Sequence, residues 1–419
     1  MKVQDLHQFK KQALQWAAKF DACCCLDSNE YADPYGRFDF LLAVGIDQSI
    51  SEPAGAAFEA LKSFYDAGPE WMFGLLGYDL KNETENLNSH HPDNLGFPDL
   101  FFFIPRYLLQ IKGTTVEVLI GNEQEILQQI RQSTLGPEDM AIPPLKVSSR
   151  IPKASYIETV KQLQTHILRG DIYEVNFCQE FFAEHADIDP LAVYYQLNSL
   201  SPTPFSGFFK LHDKFILSAS PERFICKRGN RLISQPIKGT AKRSADPEED
   251  AEIRKNLQQD AKEQAENVMI VDLVRNDLTK NALKGSVKVE ELFGIYGFKQ
   301  VYQMISTISA ELASGIHIVD ALKNTFPMGS MTGAPKLRAM QLIETYESTR
   351  RGAYSGSFGY ISPDGDFDFN VIIRSMLYNA TSRYLSFQVG GAITYAADAE
   401  KEYDECLLKA AAILKTLGQ

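Results

Sequence analysis

The sequence predicts a mixed α+β protein, because strand-like runs follow one another directly instead of alternating with helices. Apolar runs crowd together in the middle of the chain and again near both ends, while helical spacing of apolar residues occurs between these groups. The expected strands are 38–46, 71–80, 107–112, 115–120, 173–183, 205–211, 214–218, 223–227, 354–361, 367–378 and 384–389. The expected helices are 3–20, 54–65, 155–170, 246–277, 332–346 and 398–417.

Composition and charge exclude several classes of protein. The 419 residues are 44% hydrophobic and 23% charged, as in a folded globular chain and unlike a disordered or fibrous one. The formal net charge is −12, and the sequence contains no cluster of basic residues. We therefore expect no nucleic-acid partner and no membrane binding. No apolar run reaches the roughly 18 residues that cross a bilayer, and the first dozen residues hold no signal core. We therefore expect a cytoplasmic protein with reduced cysteines.

The chain divides most naturally near residue 145. The stretch 132–151 is rich in glycine and proline and is the best candidate for a linker. We expect an N-terminal region at 1–145 and a catalytic region at 146–419, which share sheets in one composite unit. Just beyond the linker, Ser155 and Glu158 have the spacing of a capping box, which predicts the start of a helix there.

Two predicted helices each present a pair of carboxylates three residues apart. Glu263 and Glu266 share one face of the helix at 246–277, and Glu402 and Glu405 share one face of the last helix. Four such carboxylates facing one another would form an oxygen site suited to Mg²⁺. Spacing alone favours the alternative, two solvated acidic faces. Against that alternative, Glu266 is followed by Asn267 and then by the apolar run 268–271, so it lies at the edge of an apolar face.

A lysine and a glutamate in the middle of the chain are candidates for acid, base or nucleophilic chemistry. Lys238 lies in the stiff segment Pro-Ile-Lys-Gly-Thr, where burial would lower the pKa of its ammonium group and allow nucleophilic attack. Glu222 directly follows an apolar strand, where partial burial would raise its pKa and suit it to act as a general acid. The alternatives are an exposed loop lysine and an ordinary glutamate at the end of a strand.

Two glycine-containing segments are candidates for anion binding. Gly390 and Gly391 follow a predicted strand, so their amides could bind a carboxylate, although a tight turn would have the same sequence. The segment 329–336, which contains Ser330, opens a predicted helix and could either bind an anion or simply cap that helix.

Each of these signals is weak alone, but their order along the chain resembles the chorismate-binding enzymes. The resemblance is strong over about residues 150–417 and looser before them. It implies a fold of two stacked, largely antiparallel sheets flanked by helices. The matching motifs are Ser-Pro-Glu at 220–222, Pro-Ile-Lys-Gly-Thr at 236–240, Ala-Glu-Asn-Val-Met-Ile-Val-Asp at 265–272, Gly-Ser-Met-Thr-Gly-Ala-Pro-Lys at 329–336, Tyr-Ser-Gly-Ser-Phe-Gly-Tyr at 354–360, Ile-Arg-Ser at 373–375, Gly-Gly-Ala at 390–392 and Glu-Tyr-Asp-Glu at 402–405.

The resemblance also implies roles for individual residues toward chorismate, a dianion. Mg²⁺ would join the ring carboxylate of chorismate to Glu266 and Glu405, with Glu263 and Glu402 as the outer pair. Glu222 would protonate the departing C4 hydroxyl. The expected contacts to the substrate are Tyr354, Arg374, Lys409, Gly390, Gly391, Ser330 and Thr240.

Two positions distinguish the members of the family. Members that add water to chorismate have a lysine base where this chain has Glu174, which disfavours water addition here. Members that make 4-amino-4-deoxychorismate, a precursor of 4-aminobenzoate and folate, resemble this chain at Lys238, whereas members that make anthranilate have alanine there. The resemblance therefore implies that Lys238 attacks C2 of the ring, and that ammonia then enters at C4 and expels the lysine.

The resemblance leaves alternatives and implies a partner. No segment resembles an amidotransferase nucleophile, so ammonia would come from a separate glutamine amidotransferase subunit. The first alternative is the anthranilate-forming activity. The second is a catalytically silent partner of a glutaminase, favoured only by Gln303, which stands where the family usually has histidine and which cannot become cationic.

Overall fold

The computed structural model describes residues 2–135 and 145–419 and confirms the α+β class. The helices are α1 Leu6–Ala17, α2 Ala57–Asp66, α3 Lys81–Thr84, α4 Glu123–Gln132, α5 Lys153–Leu168, α6 Pro190–Leu200, α7 Pro247–Gln259, α8 Ala261–Thr279, α9 Ile318–Thr325, α10 Lys336–Tyr346 and α11 Ala399–Thr416, with short 3₁₀ turns at Tyr78–Leu80 and Gly329–Met331. The strands are β1 Ala22–Asp27, β2 Phe40–Glu52, β3 Met72–Leu76, β4 Leu100–Lys112, β5 Thr115–Ile120, β6 Ser148–Ser149, β7 Glu174–Ala183, β8 Phe205–Leu211, β9 Lys214–Ser220, β10 Arg223–Arg228, β11 Arg231–Gln235, β12 Ile237–Lys242, β13 Lys288–Gly297, β14 Val301–Glu311, β15 Gly333–Ala334, β16 Ser357–Ile361, β17 Phe367–Asn370, β18 Ser375–Asn379 and β19 Tyr384–Ile393.

The strands join into one long antiparallel strip. Neighbours pair in the order β13, β14, β11, β10, β17, β16, β3, β4, β2, β1, β8, β9, β18, β19 and β7. Strand β12 also pairs with β14, so it lies near one end of the strip, while β7 lies at the other. The strip contains strands from both halves of the sequence, because β1 pairs with β8 and β3 pairs with β16.

The strip folds over into two stacked layers. Phe209 on β8 and Phe358 on β16 are separated by five strand-to-strand steps, through β1, β2, β4 and β3. Neighbouring strands lie about 4.8 Å apart, so a flat strip would hold these residues about 24 Å apart. Their ring centroids are instead 6.0 Å apart. The two layers therefore enclose an aromatic core, which confirms the expected stacking.

The two faces of the strip belong to two hydrophobic cores. On β1, Cys24 points into the core between the layers, whereas Cys23 and Cys25 point into a second core that packs against α1, α4, α5, α6, α10 and α11. All six cysteines are free and buried, as expected for a reduced protein. Among the described residues, no helix combines the length and the apolar character that crossing a membrane requires.

The boundary expected near residue 145 stays a prediction, since residues 136–144 of the expected linker lie outside the described ranges. Three local expectations were wrong, namely a capping box, one long helix and one uninterrupted strand. The capping box at Ser155 does not form, because α5 begins at Lys153 after Pro152. The expected helix 246–277 is two helices.

The break between α7 and α8 occurs at Asp260, whose carboxylate accepts hydrogen bonds from the amides of Lys262 and Glu263 and so starts α8. The expected strand 367–378 is also interrupted, because Arg374 takes a φ of 52° between β17 and β18. Both interruptions matter for function, since they place side chains in the cavity described below.

The stacking of the layers predicts that Gly207 on β8 tolerates no side chain. A Cβ atom there would lie 2.6 Å from Phe358 Cζ and 2.7 Å from the backbone oxygen of Cys25. We expect Gly207→Ala to lower the free energy of unfolding by about 1–3 kcal/mol, because the backbone must shift. Gly68→Ala is the control, since a Cβ there meets no atom within 4 Å. Urea unfolding that shows equal stability for the two variants would contradict this packing.

Candidate active site

A cavity of about 130 Å³ opens where the two ends of the folded strip meet, beneath α8 and α11. Residues from β7, β12, β14 and β19 line it together with residues of these two helices. The structure brings together here every residue singled out from the sequence except Gly391. These lining residues are Glu222, Lys238, Thr240, Glu263, Glu266, Ser330, Tyr354, Arg374, Gly390, Glu402, Glu405 and Lys409.

Lys238 forms an ion pair that the sequence did not predict. Its Nζ atom lies 2.9 Å from Glu174 Oε1, and the side chain of Lys238 is only 12% exposed. Burial lowers the pKa of Lys238, but the negative charges of Glu174 and Glu266 and the hydrogen bond to Glu174 raise it more. Burial therefore does not produce a net lowering of the pKa of Lys238 in the free protein, because Glu174, from the opposite end of the strip, stabilises the ammonium form.

Glu222 lies in the same cavity and has the environment expected of an acid. It follows β9 and is 4% exposed. The hydroxyl of Ser330, in the 3₁₀ turn before α10, donates a hydrogen bond of 2.6 Å to Glu222 Oε1. Burial raises the pKa of Glu222 to about 7, although this hydrogen bond and the charge of Lys238 oppose the shift. The raised pKa agrees with the expectation from the sequence.

The two carboxylate pairs face each other across the cavity, and one member of each pair is buried. Glu266 is 7% exposed and Glu402 is 3% exposed, so the alternative of two solvated acidic faces is wrong for these two residues. Lys262 reaches between them, with its Nζ atom 3.7 Å from Glu266 Oε1 and 3.5 Å from Glu402 Oε1. Glu405 pairs with Lys409 at 2.7 Å.

One carboxylate oxygen of Glu266 lacks a hydrogen bond, although Lys262 lies 3.7 Å from it. This oxygen, Oε1, is buried. Burial raises the pKa of Glu266 to about 7, and the nearby carboxylates of Glu174 and Glu263 add to this shift. These oxygen ligands are of the type that Mg²⁺ prefers. In the described part of the chain, however, no three acidic, histidine or cysteine side chains converge into a preformed metal cluster.

Cations and a phenol also line the cavity and could contact an anionic ligand. Arg374 lines the cavity with a guanidinium group for which the described residues provide no hydrogen bond or ion pair within 4.0 Å. Burial lowers the pKa of Arg374, as expected for a cation without a counter-ion. Beside it lies Tyr354, whose hydroxyl is 3.5 Å from Cys178 Sγ. The ammonium group of Lys409 donates to the backbone oxygen of Gly390 at 2.9 Å.

Gly390 and Gly391 do not form the expected end of a strand, nor the alternative tight turn. Strand β19 continues through them to Ile393, and they lie opposite Cys178 and Phe177 on β7. Gly390 allows this close pairing, because a Cβ there would lie 2.4 Å from the Phe177 oxygen. Gly391 is not among the residues that line the cavity, but a Cβ on it would come within 3.0 Å of Glu402 Oε2.

Sequence reasoning did not identify as site residues two residues that line the cavity, Lys262 and Gln303, and one that contacts its lining, Glu174. The sequence presents Glu174 only as a substitute for a lysine, and its pairing with Lys238 is not visible there. Lys262 lies four residues before Glu266 on α8, and this spacing could have revealed it. Gln303 lines the cavity with a buried Oε1 atom that accepts no hydrogen bond.

The fold and the cavity agree with the comparison to known proteins. Residues 21–415 match the family described as chorismate binding enzyme, and the chain belongs to this family. It is therefore a chorismate-utilising enzyme of α+β fold. Aminodeoxychorismate synthase component 1 of Escherichia coli (strain K12) is 38% identical over 347 residues, which cover 82% of this chain and 76% of that protein.

Relatives with a different activity, anthranilate synthesis, are about as similar to this chain as the relative just described. Anthranilate synthase component 1 of Thermus thermophilus is 34% identical over 364 residues, covering 83% of this chain and 78% of that protein. The crystal structure of anthranilate synthase component I from Streptococcus pneumoniae TIGR4 superposes with a TM-score of 0.79 at 26% identity, covering 92% and 93% of the two chains. Family membership alone therefore does not choose between the two reactions.

The unpaired guanidinium predicts that Arg374 contributes little to stability. We expect Arg374→Gln to leave the free energy of unfolding unchanged or to raise it, because the substitution removes a desolvated charge and breaks no ion pair. Arg351 is the matched control, because it is 2% exposed and bonds to Glu347, Met331 and Asn176. Arg351→Gln leaves Glu347 buried without its partner and should cost about 3–5 kcal/mol. Equal losses in urea unfolding would show that Arg374 has a structural role.

Proposed function

We propose that the chain is the synthase component of an aminodeoxychorismate synthase, which converts chorismate and ammonia to 4-amino-4-deoxychorismate and water. The observation that carries this proposal is the placement of Lys238 in the same cavity as the buried acid Glu222. An amine and a protonated carboxyl group within one small cavity can attack a ring and release a hydroxyl group. The names of the relatives that are 38% and 34% identical support the same reaction.

The reaction proceeds in two displacements. The neutral amine of Lys238 attacks C2 of chorismate, the ring double bonds shift, and the C4 hydroxyl leaves as water with the proton of Glu222. Ammonia then attacks C4, the double bonds shift back, and the bond between C2 and Lys238 breaks. The product ammonium returns one proton to Glu222. The sum is one chorismate and one ammonia consumed, and one aminated product and one water formed.

The remaining cavity residues orient the substrate. Arg374 pairs with one carboxylate of chorismate and thereby gains the counter-ion that it lacks in the free protein, while Tyr354 donates a hydrogen bond beside it. Ser330 holds Glu222 at the C4 side. Gly390 leaves room for the ligand next to β7, where a side chain would collide with the backbone.

Mg²⁺ fits the acidic side of the cavity, because the Glu266 oxygen without a hydrogen-bond partner and the oxygen-only donors suit a hard cation. Glu266 and Glu405 would hold the ion directly, and Glu263 and Glu402 would support its shell. Bound there, the ion would supply positive charge that offsets these carboxylates and the ring carboxylate of chorismate.

A glutamine amidotransferase subunit would supply the ammonia. The designation of the bacterial relatives as component 1 supports a multicomponent enzyme of this kind. We expect the isolated chain to use ammonium and not glutamine.

Product analysis tests the proposal. With chorismate, Mg²⁺ and ammonium, the chain should form 4-amino-4-deoxychorismate without releasing pyruvate, and glutamine should not replace ammonium. Without ammonia, intact-protein mass spectrometry should find an adduct of chorismate minus water. Lys238→Ala should remove the adduct and lower turnover by orders of magnitude. Lys242→Ala, an exposed lysine on the same strand, is the control.

Other products identify the alternatives. Formation of anthranilate with release of pyruvate would assign the chain to the anthranilate-forming activity. No conversion of chorismate, combined with activation of a glutaminase, would assign it to the silent partners. Normal turnover of Lys238→Ala without an adduct in the wild type would show that the lysine is structural.

A second prediction concerns the metal. Glu266→Gln preserves the shape of the side chain but removes a charge, so it should weaken Mg²⁺ binding in calorimetry by at least about tenfold and abolish turnover. The exposed Glu252 on α7 provides the control variant, Glu252→Gln. Unchanged Mg²⁺ affinity and activity in Glu266→Gln would remove this residue from the metal site.

A further inference from the structure

Glu174 is a buried carboxylate with half of its hydrogen-bonding capacity unused. It is the first residue of β7 and is 0% exposed. Its Oε1 atom accepts from Lys238 at 2.9 Å, whereas its Oε2 atom is buried and accepts no hydrogen bond. Burial of a carboxylate is costly unless it is paired, so this arrangement depends on Lys238.

The proposed reaction requires a neutral amine, so the ammonium group of Lys238 must lose a proton inside the cavity. Glu174 is the group to which Nζ donates in the described structure. Other carboxylates surround the amine from Glu222 after β9, Glu266 on α8 and Glu405 on α11, but none forms an ion pair with it within 4.0 Å. Glu222 Oε1 also already accepts from Ser330.

We propose that Glu174 is a positioning residue that takes the proton of Lys238 before the attack on C2 and returns it when Lys238 is expelled. The inference rests on the proposed function, since it concerns the same amine. It assigns to Glu174 a role beyond replacing the lysine base of the water-adding enzymes.

Substrate binding provides the driving force for this transfer. An ion pair in a cavity that contains water is stabilised by that water, and chorismate displaces the water when it binds. In a drier cavity the neutral pair, a carboxylic acid and an amine, becomes more favourable relative to the ion pair. The amine is thereby released at the moment when the ring lies next to it, and it is kept protonated in the free enzyme.

The protons balance over the cycle. The proton moves from Lys238 Nζ to Glu174, and the amine forms its bond to C2 while Glu222 protonates the leaving hydroxyl. When ammonia attacks C4, the bond between C2 and Nζ breaks and leaves a neutral amine. Glu174 then returns its proton to Lys238, which restores the ion pair. No oxidant, reductant or further reactant is needed.

Two substitutions of Glu174 distinguish a role in proton transfer from a role that only holds Lys238 in position. Glu174→Gln keeps an oxygen that can accept from Nζ at the same position, but it cannot take up a proton. Glu174→Asp keeps the carboxylate but withdraws it by one methylene group. If Glu174 takes the proton, Glu174→Asp must be more active than Glu174→Gln. If Glu174 only holds Lys238 in place, Glu174→Gln must be the more active of the two variants.

The readouts are kcat, the KM for chorismate and the lysine adduct in quenched samples without ammonia. We expect Glu174→Gln to lower kcat by at least about 100-fold with an unchanged KM and without an adduct. We expect Glu174→Asp to form the adduct and to retain at least about tenfold more activity than Glu174→Gln. Circular dichroism and chorismate binding control for folding of both variants.

The outcomes distinguish the two proposals. If Glu174→Gln is as active as Glu174→Asp or more active, the proton-transfer role is wrong while the proposed function stands. If the wild-type chain forms no 4-amino-4-deoxychorismate from ammonium, the proposed function is wrong, and the proton-transfer role of Glu174 is then wrong as well.

Discussion

The folding of the strand strip over its aromatic core is the constraint on which the active site depends. Lys238 lies on β12, near one end of the strip, and Glu174 lies on β7, at the other. Their 2.9 Å contact exists only because the strip closes on itself. The contact between Phe209 and Phe358 belongs to the core that holds this closure. Hydrophobic burial in the middle of the strip therefore supplies the free energy that keeps charged groups together at its ends.

Local chemistry makes much of the molecule predictable. Apolar runs locate most strands, and the order of short motifs along the chain identifies every charged residue that lines the cavity except Lys262. The features that the sequence did not predict are of two kinds. The breaks at Asp260 and Arg374 are set by single residues whose conformation is decided by their surroundings. The ion pair of Lys238 joins it to Glu174, which lies 64 residues away in sequence. Spacing along a chain does not encode such contacts.

The cavity also explains how an acidic protein can accept a dianion. The chain has a net charge of −12, yet the cavity contains Arg374 without a counter-ion. A cation that is desolvated and unpaired lowers the stability of the free protein and is compensated only when an anion arrives. Glu266, in the same cavity, has the complementary deficit, a buried oxygen without a hydrogen-bond donor. The cavity therefore contains one group that a bound anion would pair and one that a bound cation would pair.

Glu222 and Glu174 show how two glutamates in one cavity acquire opposite tasks. Burial raises the pKa of Glu222 to about 7 although the hydrogen bond from Ser330 opposes the shift, so an appreciable part of this residue holds a proton near neutral pH. Glu174 is buried at least as deeply, but an ammonium group rather than a hydroxyl group faces it. The two carboxylates therefore differ in the group that faces them, a hydroxyl group for Glu222 and an ammonium group for Glu174. Because each partner comes from a different segment of the chain, both carboxylates acquire these surroundings only when the strip has closed.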